Sequence, residues 1–417
     1  MIASGLATVG ADVTFSPQAA NALRTLLAAP QPHPGGGPSG DTVTVVSPQE
    51  RTAPTATTLP VLPRLQLSHA TAHYGALPAQ SPVDIEITGL LGEGGMGRVE
   101  LGHQPALDRA VAVKRVRPDR VCPLALRALL HEAKVTGSLE HPNVIPVHML
   151  GVDADGQPLL VMKRVAGTVW RELIVRPDHP AWQHLGQDRE RQHLDILLAV
   201  CNGVQFAHKR GIVHRDLKTE NVMVGEDGEV YVLDWGIALR LGMPPSQELA
   251  GTPAYMAPEM LRGTAEIDER SDIFLLGAML HEVLTGQTRH RGATTLEVLR
   301  AAAVSDPQVY GPQVPAELAE ICNKATAAAQ ADRYTDVAAL RSAIDGYLHH
   351  RGSIAVAARA TATLVAMQAA VAQVAALTDR AGTDPDTTHR TPELARALEM
   401  QRTLVRKLAT EAGYGFG

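Results

Sequence analysis

The sequence predicts an α+β chain of two lobes, a small β-rich one followed by a larger helical one, with a disordered arm before them and a helical hairpin after them. Three observations predict it. Residues 1–83 are rich in Pro, Gly, Thr and Ala and keep no sustained period of 2 or 3.6, so they bury too little apolar surface to order themselves. From Asp84 short β-branched runs alternate with glycine turns, as in Val99-Glu100-Leu101 and Ala110-Val111-Ala112-Val113. After Gly167 the period becomes helical: Leu194, Leu198, Cys201 and Val204 share one face, as do Leu276, Leu280 and Val283.

Taken in order, Ile85-Glu86-Ile87 opens the β-rich lobe, a helix is expected from about Leu124 to Leu139, and Leu159-Leu160-Val161-Met162 reads as a strand. These textures divide the chain into an arm at 1–83, a central domain at 84–349 (small lobe 84–162, large lobe 163–349) and an extension at 350–417. In the extension Ala357, Leu364, Met367, Val371 and Val374 form the seam of one helix, and a loop follows from Gly382 to Arg390. Thr391 then caps a second helix, with Pro392 at its first position and Leu394, Leu398, Val405 and Leu408 as its buried stripe.

Composition excludes several classes. Of 417 residues 45% are hydrophobic but only 3% aromatic, so the core is built mainly of Ala, Val and Leu. A formal charge of -6 without a basic tail argues against nucleic-acid binding. Cys122, Cys201 and Cys322 form no CxxC, which argues against a disulfide framework or zinc site and fits a reducing cytosol. A cytoplasmic location is expected, since no basic segment leads into an apolar run at the N-terminus. The stretch Ile354 to Leu377 contains Arg359, Gln368 and Gln373 and is mostly alanine, so it reads as a surface helix rather than a membrane span.

Five motifs carry chemistry. In Gly92-Glu93-Gly94-Gly95-Met96-Gly97-Arg98-Val99 the glycines let a hairpin backbone approach phosphates without Cβ clashes and offer N–H groups to them. Dinucleotide folds use the same spacing before a helix; here it lies between strands, and no acidic residue closes a βαβ unit. In Val111-Ala112-Val113-Lys114 a strand ends in a lysine suited to bridging α- and β-phosphates, with Glu132 on the next helix as its partner. A lone strand lysine is ordinarily a solvated charge, and its place after the glycine loop gives it meaning.

The most specific string is Ile212-Val213-His214-Arg215-Asp216-Leu217-Lys218-Thr219-Glu220-Asn221. Asp216 suits a base that orients an acceptor hydroxyl, Lys218 a group that neutralises the γ-phosphate, and Asn221 a magnesium ligand. Val230-Tyr231-Val232-Leu233-Asp234-Trp235-Gly236 follows, a strand delivering Asp234 to metal, and Gly251-Thr252-Pro253-Ala254-Tyr255-Met256-Ala257-Pro258-Glu259 closes the segment.

Together the five, in this order, resemble the bacterial, eukaryotic-like (Hanks-type) serine/threonine protein kinases over about residues 84–349. The resemblance implies a bilobal protein-kinase fold and transfer of the γ-phosphate of ATP, with Mg2+, to Ser/Thr hydroxyls of protein substrates. It carries Asp216, Lys218, Lys114 and Glu132 over as catalytic residues and Asn221 and Asp234 as metal ligands. Nucleotide contacts carry over to Leu91, Gly92, Glu93, Gly94, Gly95, Met96, Gly97, Val99, Ala112, Lys114, Met162, Lys163, Val165 and Met223. Met162 takes the gatekeeper position, Lys163 and Val165 supply hinge backbone groups, and Ala112 and Met223 sandwich the adenine. His141-Pro142-Asn143, Ser271-Asp272 and Arg333 match secondary marks of the family. Arg333 is expected to pair with Glu259, and Asp272 to support the catalytic loop.

Five positions depart from the family or bear on control. Lys163-Arg164 is more basic than the usual hinge, Trp235 stands where Phe is usual, and Thr136 is more polar than the common apolar residue. Ser246, the only hydroxyl between Gly236 and Gly251, is a candidate autophosphorylation site that Arg215 could bind once modified. Thr252 is read as a structural contact to Asp216 and Lys218. Self-association is left open. A pseudokinase or ATP-binding scaffold is the alternative, and the complete set of Lys114, Asp216, Asn221 and Asp234 argues against it.

Overall fold

The computed structural model describes residues 43–45, 62–69, 83–94, 97–186, 188–244 and 249–383, and single residues from 396 to 403. The chain divides into two compact units, residues 1–344 and 345–417. In the first, a mixed sheet runs β2 (Leu67–His69), β3 (Ile85–Glu93), β4 (Arg98–Gln104), β5 (Arg109–Arg115), β7 (Pro158–Lys163) and β6 (Val147–Val152), in that spatial order. Helix α1 (Pro123–Gly137) packs on it, burying Leu129 and Ala133 against Leu160. Its N-cap is Cys122, with Pro123 at the first position, where a missing N–H costs nothing.

The larger half is helical. Its main elements are α2 (Trp170–Val175), α3 (Trp182–Leu185), α4 (Arg189–His208), α5 (Glu269–Thr285), α6 (Thr295–Val304) and α7 (Ala316–Ala325). Helix α5 is buried almost all round, from Ser271 to Glu282, as a helix enclosed by others must be. Asp268 caps its start and Gly286, at φ 71, ends it. Short strands β8 (Gly167–Val169), β10 (Val222–Gly225) and β11 (Val230–Val232) form a three-stranded sheet beside the cleft, and β9 (Ile212–Val213) pairs with β12 (Leu239–Arg240). A bilobal α+β fold is therefore present.

Order in the first unit begins before Asp84. The Leu65 N–H donates to Val152 O at 2.8 Å and the Val152 N–H to Pro63 O at 2.9 Å, while Leu67–His69 pairs in parallel with Ile85–Ile87. Residues 63–69 thus cross from the β6 edge of the sheet to the β3 edge, leaving fewer free backbone groups. Leu65 is buried among Ile85, Ile87, Val111, Val113, Leu159 and Val161. Part of the segment expected to be a disordered arm is therefore a strap, held by one apolar side chain and a few backbone bonds. A second piece of it, β1 (Val43–Val45), pairs antiparallel with β13 (Leu249–Gly251).

Helix α8 runs from Val337 to Thr383. It passes through the 349/350 position where the sequence texture sets a domain boundary, because only isolated glycines, Gly346 and Gly352, interrupt an alanine-rich run there. The seam side chains, most of the Gly382 to Arg390 loop and most of the second helix of the expected hairpin lie outside the described residues. Among those that are described, Arg396, Glu399, Met400 and Thr403 are helical and exposed. No described helix is long and apolar enough to cross a membrane.

Candidate active site

The glycine hairpin is formed by the ends of β3 and β4, with Gly92 opposite Val99 and Glu93 opposite Arg98. Gly94 donates its N–H to Gly97 O at 2.9 Å. A Cβ on Gly97 would lie 2.6 Å from Arg115 O, so the close approach of loop to strand requires glycine there. Leu91, Gly92, Glu93 and Gly94 are exposed, as a loop closing over a ligand would be; Gly95 and Met96 lie outside the described residues.

Below the hairpin, Val99 faces Lys114 across the ladder, and Ala112 faces Met162. The Lys114 ammonium donates to both oxygens of Glu132, at 2.6 and 2.7 Å, and lies 3.5 Å from Asp234 Oδ1. Burial works to lower the Lys114 pKa, but Asp234 and Glu132 outweigh it and hold the ammonium above its ordinary range. Lys114 in turn holds the Asp234 carboxyl below its ordinary value, against burial. Burial pushes Glu132 up, countered by Lys114. Strand β5, helix α1 and the segment after β11 thus converge on one charge cluster.

Asp234 has φ 58, a left-handed backbone that L-residues rarely adopt. The Gly236 N–H bonds the Asp234 carboxylate, and a Cβ on Gly236 would crowd Asp234 Oδ1 at 3.1 Å. Trp235 between them is fully buried, its ring 4.4 Å from that of His214, and its Nε1 finds no acceptor. The indole plugs the site, and it buries an unpaired donor there that phenylalanine would not bring.

The loop after β9 is hung from Asp272, which is fully buried near the start of α5. Its carboxylate accepts the His214 N–H at 2.8 Å and the Arg215 N–H at 2.9 Å, and His208 Nε2 lies 2.8 Å away. Burial raises the Asp272 pKa, but these partners, His208 foremost, leave it below its ordinary value. Arg215, at φ 68, sends its Nε–H to Ile237 O at 2.6 Å, tying the loop to the segment after Asp234.

That suspension sets Asp216 at the centre of a polar cluster. Thr252 donates its hydroxyl to Asp216 Oδ1 at 2.6 Å, and Lys218 Nζ lies 3.2 Å from Oδ2 and 2.9 Å from Thr252 Oγ1. Asn221 Nδ2 reaches Asp216 O at 2.8 Å and Oδ2 at 3.2 Å. Thr252 is therefore the contact its place in the sequence suggests. Asn143 joins the lobes, donating to Val230 O at 3.0 Å and accepting from Val232 N at 2.8 Å. At the hinge the Lys163 N–H donates to Pro146 O at 2.9 Å, and its ammonium turns to Tyr231 OH at 2.6 Å. Val165 and Met223 are half-buried nearby in the chain's course, Met223 opposite Val169. Ser246 lies outside the described residues.

Sequence reading missed a second cluster beside the loop. Glu282, buried in α5, accepts from Tyr255 OH at 2.5 Å and Thr219 Oγ1 at 2.7 Å, and Tyr255 OH also reaches Glu220 at 3.2 Å. Arg171 from α2 closes it, 3.8 Å from Glu282. A single glutamate in the mainly apolar run Ile273 to Leu284 is the signal that could have found it.

Fold and site together define a class. The chain belongs to the protein kinase family, whose protein kinase domain matches residues 85–343. It is similar to the serine/threonine-protein kinase PknD of Chlamydia caviae, 34% identical over 293 residues, and to that of Chlamydia trachomatis serovar D, 33% identical over 299. These matches set it in the bacterial Hanks-type serine/threonine branch. Each covers 63% of this chain, and the chain spans 31% of the length of those relatives.

Proposed function

We propose that the chain is a serine/threonine protein kinase acting in bacterial signalling in the cytoplasm, moving the γ-phosphate of Mg-ATP to Ser/Thr hydroxyls of proteins. The observation that carries this reading is the Asp216 cluster: a carboxylate oriented by Thr252 and Asn221, with Lys218 Nζ 3.2 Å from it. A hydroxyl brought to Asp216 can pass its proton to the carboxylate as it attacks, while Lys218 offsets charge gathering on the transferred group.

The residues present fit nucleotide and magnesium. Asn221 donates through its nitrogen, so its amide oxygen is the atom left for a cation. The Asp234 carboxylate is one-third exposed, and hard oxygen donors suit Mg2+. Bound there, the ion would neutralise the β- and γ-phosphates. Lys114, fixed by Glu132, would position the α- and β-phosphates, and the Leu91 to Gly97 loop would cover them.

Incubation with magnesium, labelled ATP and a generic protein substrate tests the reading. Label is expected on serine and threonine and is expected to fall by about 10²–10⁴-fold in Asp216→Asn. Undiminished label in that variant, or label on tyrosine alone, would sink it.

A further inference from the structure

Helix α1 and the segment after Asp234 enclose a cavity of about 1000 Å³, at the upper end of small-molecule sites. Its walls are aliphatic: Val121, Leu124 and Leu129 on the α1 side, Ile237, Leu239 and Met243 on the other. Val121, Leu124 and Met243 are 44%, 61% and 61% exposed, so apolar surface lies bare at one place. Among the described residues the only ring lining it is the imidazole of His131. The walls thus suit a flexible alkyl chain better than a planar ligand that needs stacking.

The charge there is one-sided. Seven Lys and Arg residues line the cavity against two acidic ones. Both carboxylates are already engaged, Glu132 with Lys114 at 2.6 Å and Asp119 with Arg117 at 2.9 Å. Arg127 and Lys134 from α1 and Arg240 from β12 therefore add positive charge beside the aliphatic walls. Such a cavity complements an anion with an alkyl tail: the tail leaves water and the head meets guanidinium and ammonium groups.

Both walls bear on catalysis. Helix α1 carries Glu132, which fixes Lys114, and His131 Nε2 donates to Ala238 O at 2.8 Å, tying the helix to the opposite wall. The cavity exists while Lys114 and Glu132 are paired, so a ligand that fits it raises the population of the paired state. We propose that the cavity binds a single-chain aliphatic carboxylate, a fatty-acid anion, and that its occupancy raises kinase activity by holding α1 in place. The rise in activity rests on the kinase reading above; the binding does not.

The test uses the full chain and dodecanoate below the concentration at which it forms micelles. Cys122 lines the cavity and is exposed, whereas Cys201 and Cys322 are buried, so alkylation by N-ethylmaleimide reports on Cys122. Dodecanoate is expected to slow that alkylation by about fivefold or more while Cys201 and Cys322 stay unreactive. Labelling of a generic protein substrate with magnesium and ATP is expected to rise by about threefold or more. Acetate, which lacks the tail, and dodecyl maltoside, which lacks the charge, are expected to do neither. Leu124→Asp puts a carboxylate in the wall at a helix start, where an acid is tolerated, and is expected to raise the dodecanoate needed by about tenfold or more. Protection unmoved by Leu124→Asp, or given equally by acetate, overturns the inference. So does protection by phosphatidylglycerol vesicles and not by dodecanoate, which would make the patch a membrane surface. Protection without a rise in labelling of an active enzyme overturns it too and spares the kinase reading. Generic substrate left unlabelled with and without dodecanoate sinks the kinase reading and the activation with it.

Discussion

Arg333 and Glu259 in the helical half, and Lys114 and Glu132 in the β-rich half, are both buried ion pairs with two short contacts, at 2.7 and 2.8 Å in the first and 2.6 and 2.7 Å in the second. Their surroundings differ. Arg333 also donates to Ala327 O, Ala328 O and Arg270 O, and its guanidinium lies 4.9 Å from the Phe274 ring, while Ser271 bonds Glu259. Every partner there belongs to the helical half, and the Arg333 side chain is wholly enclosed. Lys114 instead joins a strand to a helix and keeps one side toward the cleft, with Asp234 at 3.5 Å. One pair is finished within its own lobe. The other is an assembly whose last member is a ligand.

Breaking each pair from its cationic side separates these roles. Arg333→Ala leaves a carboxylate and three carbonyls without their donor, and a buried pair broken this way costs about 3–5 kcal/mol. A denaturant midpoint shifted by that much is the expected result. A shift under about 1 kcal/mol would show that the segment from Glu259 to Ser271 holds without it. Activity lost in this variant is expected to follow the unfolded fraction.

Lys114→Met is expected to reverse the pattern. A phosphate-positioning cation removed from the site lowers kcat/KM by about 10²–10³-fold. Stability is expected to fall less than in Arg333→Ala, because Glu132, already pushed up by burial, can take a proton where the ammonium was. Steady-state kinetics and a melt of one preparation check both halves of the claim. A stability loss equal to that of Arg333→Ala would make Lys114–Glu132 a structural pair like the other.

The same contrast explains what was legible in the sequence. Lys114, Glu132, Asp216, Asn221 and Asp234 are legible because phosphate chemistry dictates residue type and spacing, and glycines dictate where the backbone approaches. Arg333 and Asp272 are legible only through the family resemblance, since their local spacing does not show which distant groups they meet. The strap is not: Leu65 and Leu67 alternate with Arg64, Gln66 and Ser68 for too few residues to stand out from a proline-rich arm. What orders it is a hydrogen-bonding edge on Val152 and a gap over Ile85 and Val161, both supplied by distant sequence. Pairing of Val43–Val45 with Leu249–Gly251 is hidden for the same reason, since register between distant strands leaves no local period. Continuity of α8 was obscured by two glycines that a strong alanine-rich helix absorbs.

Trp235 tests the smallest effect, a donor left unfinished inside the assembled site. Its buried indole N–H without an acceptor costs about 1–3 kcal/mol relative to a site lacking that group. Trp235→Phe removes the donor and leaves a void of about 40 Å³, which at ~24 cal/mol per Å³ costs about 1 kcal/mol. The terms favour the variant, so Trp235→Phe is expected to unfold at the same or a higher denaturant midpoint, by up to about 2 kcal/mol, with the Lys114 and Asp216 functions intact. A loss above about 1 kcal/mol would mean that the indole N–H is satisfied in solution, by a water held against His214. The ring would then be a hydrogen-bonded member of the site and not a plug alone.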